Sequence, residues 1–291
     1  MTSHASKKEW PLVVFTVALQ FACGLSIAAM LVDWKASPSE VAQLRPLAVA
    51  IFPIVALGML ASLLHLGRPL LAGRALLNLR RSKLSVEVLL STFFACSALI
   101  YSGLWFTGAT QPRLAGGIVT ATLGLGAVVS SAMIYMLPTR PIWNSGWLPA
   151  SFLGTTLLLG GLPSAALVAG AAEATLLRTF VNATVAGSAL LLLSAFWMLK
   201  HSSRLRAEQS ASADIEAPRP LLNSREYLWL VLYIGFAGVM PGVIALMLWP
   251  VAGAPDLPAI ALRFAALPFA MLGVLLGRML MYSIAPRFSG F

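Results

Sequence analysis

Apolar residues run along this chain in long unbroken stretches, separated by short polar breaks. Eight stretches reach the roughly 20 residues that a membrane-spanning helix needs: 10–32, 46–66, 86–106, 114–136, 148–171, 178–199, 227–249 and 258–282. The fifth and sixth are parted only by a short turn carrying Glu173 and Arg178. Short segments of alternating polarity, the mark of a membrane β-barrel, are not the pattern here. The predicted fold class is therefore all-α, a bundle of eight transmembrane helices forming a single integral membrane domain over residues 1–291. Lys7 and Lys8 precede the first stretch as they would in a signal peptide. Its apolar part is too long for a signal core and no cleavage site follows, so an uncleaved first span is expected. Trp10, Trp34, Trp105, Trp143, Trp147, Trp197, Trp229, Trp249 and Tyr282 all fall near the ends of these stretches, where interfacial aromatics belong.

Composition agrees. The chain is 59% hydrophobic and 10% charged, against about 25% charged residues in soluble domains, and its mean hydropathy is +0.86. A net charge of +10 would suit nucleic acid, but the basic residues sit at the ends of apolar stretches and form no polar face. No soluble domain fits. The longest polar stretch, 200–226, has the Ser, Ala, Pro and mixed charge of a flexible linker.

With eight spans both termini lie on one side. Lys35, Arg45, Arg113, Arg178 and Arg263 fall on the other, and the remaining fifteen of the twenty basic residues collect on the terminal side. Cytoplasmic loops carry such an excess, so both termini and the 66–85 loop are expected in the cytoplasm. That loop mixes leucines with Arg68, Arg74, Arg80, Arg81 and Lys83. Pro69 suits the first turn of a short interfacial helix, with Arg74, Asn78 and Arg81 on one stripe. Contact with anionic lipid and docking of a partner protein are both compatible with it.

Much chemistry is missing from the sequence. Cys23 and Cys96 lie in different spans and form no C-x-x-C pair, so no iron–sulfur cluster is expected in this chain, and both cysteines read as small apolar core residues. The histidines are His4, His65 and His201. Only His65 and His201 offer a pair of haem ligands, both at helix ends, and no haem is expected. No metal-ligand cluster or nucleotide motif appears, and ionisable groups within the spans are too few for an ion pathway.

Two groups remain at the membrane edge. In "LLHLGRPLL" (63–71), His65 stands one residue from the end of the second stretch, and Glu87 follows Ser85 in the first turn of the third. Taken singly, His65 reads as an interfacial histidine bonded to a carbonyl, and Glu87 as an acid favoured by a helix N-terminus. Together they suit proton exchange with a quinol, which loses two electrons and two protons on oxidation. Histidine accepts protons near neutral pH, and a half-buried carboxylate can be tuned to do so. Arg278 offers either a donor to a quinone oxygen or, more simply, a side chain that snorkels to the interface.

The stretches "EWPLVVFTVALQ" (9–20), "ASLLHLGRPLLAGRALLNLRRSKLSVEV" (61–88), "LPTRPIWNSGWLP" (137–149) and "GVLLGRMLMYS" (273–283) resemble the membrane anchor subunit of bacterial dimethyl sulfoxide reductase, along essentially the whole chain. The specific part is the H-L-G-x-P block followed by S-x-E. The resemblance implies an anchor in the bacterial inner membrane for a molybdopterin catalytic subunit and a four-cluster iron–sulfur subunit, with no redox cofactor of its own. It implies a quinone site, for menaquinone or ubiquinone, at His65 and Glu87, with Gly67 of the H-L-G block and Arg278 as weaker members. Partner docking falls to Arg68, Arg74, Arg80, Arg81 and Lys83. The respiratory enzyme's anchor is described with periplasmic termini, opposite to the charge pattern here. A quinone-linked sulfite dehydrogenase of the same broad family has cytoplasmic catalytic subunits, so sulfite oxidation is the leading expectation and quinol-driven dimethyl sulfoxide reduction the alternative.

Two other classes compete. A secondary transporter would use "GGLPSA" (160–165) and "GVMPGV" (238–243) as broken helices, but these do not fall at corresponding places in two halves. A pure scaffold would differ only in what His65 and Glu87 do.

Overall fold

A computed structural model of the protein describes residues 3–64, 78–80, 82–171, 175–212, 222–247 and 257–284, with side chains over 9–64, 78–80, 82–171, 175–208, 222–247, 261–262 and 264–284. The helices are α1 (Ser3–Lys35), α2 (Pro38–Leu63), α3 (Lys83–Thr107), α4 (Arg113–Tyr135), α5 (Trp147–Val168), α6 (Leu177–Ser212), α7 (Ser224–Tyr233), α8 (Met240–Met247) and α9 (Leu257–Ile284). A π-helical turn, Ile234–Val239, joins α7 to α8, so these make one span. Eight spans result, each long and apolar enough to cross a bilayer, and no strand occurs among the described residues.

Local sequence starts and stops these helices. Ser37 caps α2 with a reciprocal pair of bonds, Glu40 N to Ser37 Oγ at 3.3 Å and Ser37 N to Glu40 Oε2 at 3.0 Å, just before Pro38. Asn223 and Glu226 form the same device before α7. Each cap satisfies backbone N–H groups that have no partner inside the helix, a contribution of about 1 kcal/mol. Gly108 ends α3 in the left-handed conformation at φ 76°, where glycine alone has no Cβ penalty.

Helices α1 and α5 form the centre. Helix α1 packs against α2, α4, α5 and α9, while α5 packs against α1, α6 and α9. Lipid tails are as apolar as leucine, so close backbone approach is what holds such helices together. Gly24 and Gly160 supply it: a Cβ on Gly24 would lie 2.3 Å from the Thr156 carbonyl oxygen and 2.8 Å from Gly160 Cα.

Several expectations change here. Residues 200–212, expected as the start of a linker, continue α6 to Ser212. The stretch is rich in Lys, Arg, Ala, Glu and Gln, which favour helix, and the helix outruns the bilayer at about 54 Å. Residues 213–221 of that expected linker lie outside the described residues, and its end, from Asn223, caps and begins α7. Helix α5 runs unbroken through Pro163, so "GGLPSA" is not a break. "GVMPGV" does coincide with one: the π turn ends at Val239, two residues before Pro241. Proline at 241 has no N–H to give to residue 237, and the wider turn there bonds Met240 N to Gly235 O. Cys23 is buried as expected, but Cys96 is exposed on the outer face of α3. Trp10, Trp34 and Trp197 face outward, whereas Trp105, Trp147 and Trp229 are packed inside the bundle. Trp249 lies outside the described residues.

Candidate functional site

The ends of α3, α4, α5 and α9 that lie on the terminal side meet around a polar cluster reaching inward to α1. Glu87, in the first turns of α3, is 7% exposed. Its neighbours come from other helices. Ser131 of α4 faces its carboxyl at a geometry short of a hydrogen bond, and Tyr135 and Tyr282 lie within its electrostatic reach. The hydroxyls of Tyr135 and Tyr282 are hydrogen-bonded to each other. Trp143 packs edge-on against both rings, with centroids 5.4 and 5.9 Å away, and donates from Nε1 to the Met281 carbonyl at 3.1 Å. Edge-to-face rings of this kind hold one another's orientation.

Arg278 stands one turn before Tyr282 on α9. The expectation that it snorkels to the interface is wrong: it is 4% exposed. Its Nη2 donates to Gln20 Oε1 of α1 at 2.9 Å, and its Nη1 to Ser151 Oγ of α5 at 3.2 Å. The guanidinium lies over the Phe152 ring, 3.7 Å from its centroid. Two facing helices thus hold the head inside the bundle, which a flexible stem alone would not do. A cavity of about 20 Å³ adjoins it, lined also by Ser194, Tyr233 and Gly277. That is room for about one water and far too little for a quinone ring. Gln20 Nε2 is buried without a hydrogen-bond partner.

His65, Gly67, Arg68, Arg74 and Arg81 lie outside the described residues. Helices α2 and α3 pack antiparallel: Ser102 Oγ donates to the Ala48 carbonyl and accepts from Phe52 N, and Arg45 Nη2 donates to the Phe106 carbonyl, so α2 ends at Leu64 on the side where α3 begins. Arg80 is exposed. Lys83 is exposed but engaged, donating from Nζ to the carbonyls of Met133 and Met136 at 3.1 Å each, where it closes the C-terminal end of α4. His201 Nε2 sits 2.9 Å from the Pro141 carbonyl oxygen.

Gln20, Ser131, Tyr135 and Phe152 are members of the cluster that the sequence does not single out. Gln20 carries a signal nonetheless, since a polar residue well inside an apolar stretch is costly in lipid and marks a specific contact. The opposite end holds a second polar knot with no forewarning in the sequence. Asp33 pairs with Arg113, accepts from Tyr101 at 2.6 Å, and Arg113 lies over Trp105 at 4.0 Å. It ties α1, α3 and α4 together. No group of three or more potential metal ligands occurs among the described residues.

Comparison with known proteins gives a consistent answer. The family model "DMSO reductase anchor subunit (DmsC)" matches residues 3–284. Similar proteins include YnfH, an anaerobic dimethyl sulfoxide reductase polypeptide of Escherichia coli K12, 32% identical over 172 residues, covering 56% of this protein and 58% of that one. The C polypeptide of the anaerobic dimethyl sulfoxide reductase of the same organism is 31% identical over 158 residues, covering 53% and 55%. Its Haemophilus influenzae counterpart is 30% identical over 158 residues, covering 53% and 56%. The matched part of the protein thus spans a little over half the length of these curated relatives. A match over nearly the whole length, on a bundle of eight membrane-length helices, establishes that the protein belongs to the DMSO reductase anchor subunit family.

Proposed function

We propose that this protein anchors a molybdopterin and iron–sulfur oxidoreductase in the bacterial inner membrane and carries the quinone site through which electrons pass between the iron–sulfur subunit and the membrane pool. The observation that carries the reading is Glu87: an acid buried to 7% exposure, at the bundle end where α2 runs into the H-L-G-x-P block. A carboxylate is not buried in lipid-facing sequence without a task or a partner, and here the described groups that act on it are hydroxyls.

The cavity beside Arg278 is too small for a quinone ring, so the proposed site is built on Glu87 with His65 and Gly67 of the H-L-G-x-P block. A quinone/quinol couple bound there would exchange two electrons and two protons. His65 and Glu87 exchange the protons, and the apolar helix faces receive the isoprenoid tail. Arg278 is then a positioning group, holding α1, α5 and α9 in register beneath Tyr282. Docking of the four-cluster iron–sulfur subunit is assigned to Arg68, Arg74, Arg80 and Arg81, while Lys83 is engaged with the end of α4.

The test separates chemistry from assembly. His65→Ala and Glu87→Gln leave the complex assembled but cut quinone-coupled turnover by about 10²–10⁴, the usual contribution of a positioned acid or base. Turnover with a soluble dye that reaches the partner subunits directly survives. Loss of both activities together would make these residues structural, and full quinone-coupled activity would put the site elsewhere.

Two substrate readings stand on different observations. The excess of basic residues on the terminal side supports a cytoplasm-facing complex and sulfite oxidation, with electrons entering quinone. The names of the relatives support dimethyl sulfoxide reduction, with electrons leaving quinol. Identifying the molybdenum protein that co-purifies in mild detergent, and assaying it with each substrate, decides between them.

A further inference from the structure

We infer that the outer groove between α5 and α6 binds an anionic phospholipid, with the phosphate held by Lys200 and Arg204 and one acyl tail lying along the apolar wall. The groove has a volume of about 400 Å³, within the range of sites built for lipid- or drug-sized ligands. Its wall is Leu190, Leu193, Phe196 and Trp197, and its rim is Lys200, His201 and Arg204. Along α6 the lining runs from apolar to basic, and the Ser194 hydroxyl among it is buried and donates to the Leu191 carbonyl.

Depth matches a lipid. The rise from Leu177 to Lys200 is about 35 Å at 1.5 Å per residue, close to one hydrocarbon thickness of roughly 30 Å. The apolar wall therefore lies within the acyl region and the basic rim at headgroup level. A water-soluble partner would have no access to the wall. Leu193, Phe196 and Trp197 are 61%, 66% and 47% exposed, so the groove opens outward and is not part of the bundle core.

Charge complementarity selects an anionic headgroup. Lys200 and Arg204 are one turn apart on the same face, and both are exposed. Glu208, a turn further on, does not line the groove. The His201 Nε2 contact to Pro141 O ties the rim to the α4–α5 connection. Trp197 is seated by Gly146, where a Cβ would lie 2.5 Å from the indole ring. The groove is therefore built on two fixed elements, and its proposed occupant is independent of the quinone reading.

The test uses the full-length protein isolated in dodecyl maltoside. Its thermal stability is titrated in mixed micelles with dioleoyl phosphatidylglycerol and, separately, dioleoyl phosphatidylcholine. The phosphatidylglycerol half-saturates at an about 25-fold lower mole fraction, from roughly fivefold for each basic side chain beside an anionic headgroup. The double substitution Lys200→Gln/Arg204→Gln brings that ratio close to one and leaves stability in phosphatidylcholine unchanged. A second measurement uses acyl-brominated lipids, with Trp197 read as the difference between the wild type and Trp197→Phe. Brominated phosphatidylglycerol quenches that difference more strongly than brominated phosphatidylcholine. If the double variant does not fold, the quenching comparison decides alone. Equal protection by the two lipids, equal quenching, or a preference that survives the double substitution would each overturn the assignment.

Discussion

The bond between Gln20 and Arg278 lends itself to a quantitative test, because both side chains are buried and the partners are few. Gln20 is 0% and Arg278 4% exposed, and their 2.9 Å contact is charge-assisted. Such bonds contribute about 1.5–3 kcal/mol. Gln20→Leu removes that acceptor but also removes Nε2, which has no partner and whose burial already costs about 1–3 kcal/mol. The two effects oppose, so Gln20→Leu alone destabilises by only about 1 kcal/mol. Arg278→Met takes a charge out of the bundle, which is favourable, but strands the whole Gln20 amide, for a net loss of about 2 kcal/mol. The double variant strands nothing and loses about 1 kcal/mol, no more than Gln20→Leu. The coupling is then about 2 kcal/mol, above the average of about 0.6 for hydrogen bonds between membrane helices. Reversible unfolding in mixed dodecyl maltoside and dodecyl sulfate micelles measures all three variants. Additive losses, with coupling below about 0.5 kcal/mol, would refute the picture of Arg278 as a hub between α1 and α9.

Other outcomes follow from the same structure. Gly24→Ala pushes a methyl against the Thr156 carbonyl at 2.3 Å and forces α1 from α5, costing about 3 kcal/mol in the same unfolding assay, the upper end for overpacking. Gly103→Ala, where a Cβ meets nothing within 4 Å, stabilises by up to about 1 kcal/mol through helix propensity and serves as its control. Asp33→Asn leaves Arg113, 9% exposed, without its carboxylate and destabilises by about 3 kcal/mol, the low end for breaking a buried pair. In a Cys23→Ala/Cys96→Ala background, Ile215→Cys is labelled by an impermeant maleimide only after cells are opened; labelling in intact cells would place the termini outside and remove the support for sulfite oxidation.

Much of this protein is legible in its sequence because a bilayer imposes a length. Eight apolar stretches announce eight helices, since a backbone in hydrocarbon must bond to itself and needs about 20 residues to cross. Glu87 is legible for the same reason, as an acid misplaced at the edge of an apolar stretch, in the S-x-E that follows the H-L-G-x-P block along the sequence. Side-chain destinations are not. Cys96 reads as core and faces outward, Trp105 and Trp147 read as interfacial and are packed inside, and Arg278 reads as snorkelling and is locked between Gln20 and Ser151. In water, an apolar stripe tells which face of a helix turns inward. In a membrane the lipid and the protein interior are equally apolar, so hydropathy marks that a residue is out of water without saying which side it took. That choice is left to the close approach of Gly24 and Gly160 and to the few polar partners that only the folded bundle brings within reach.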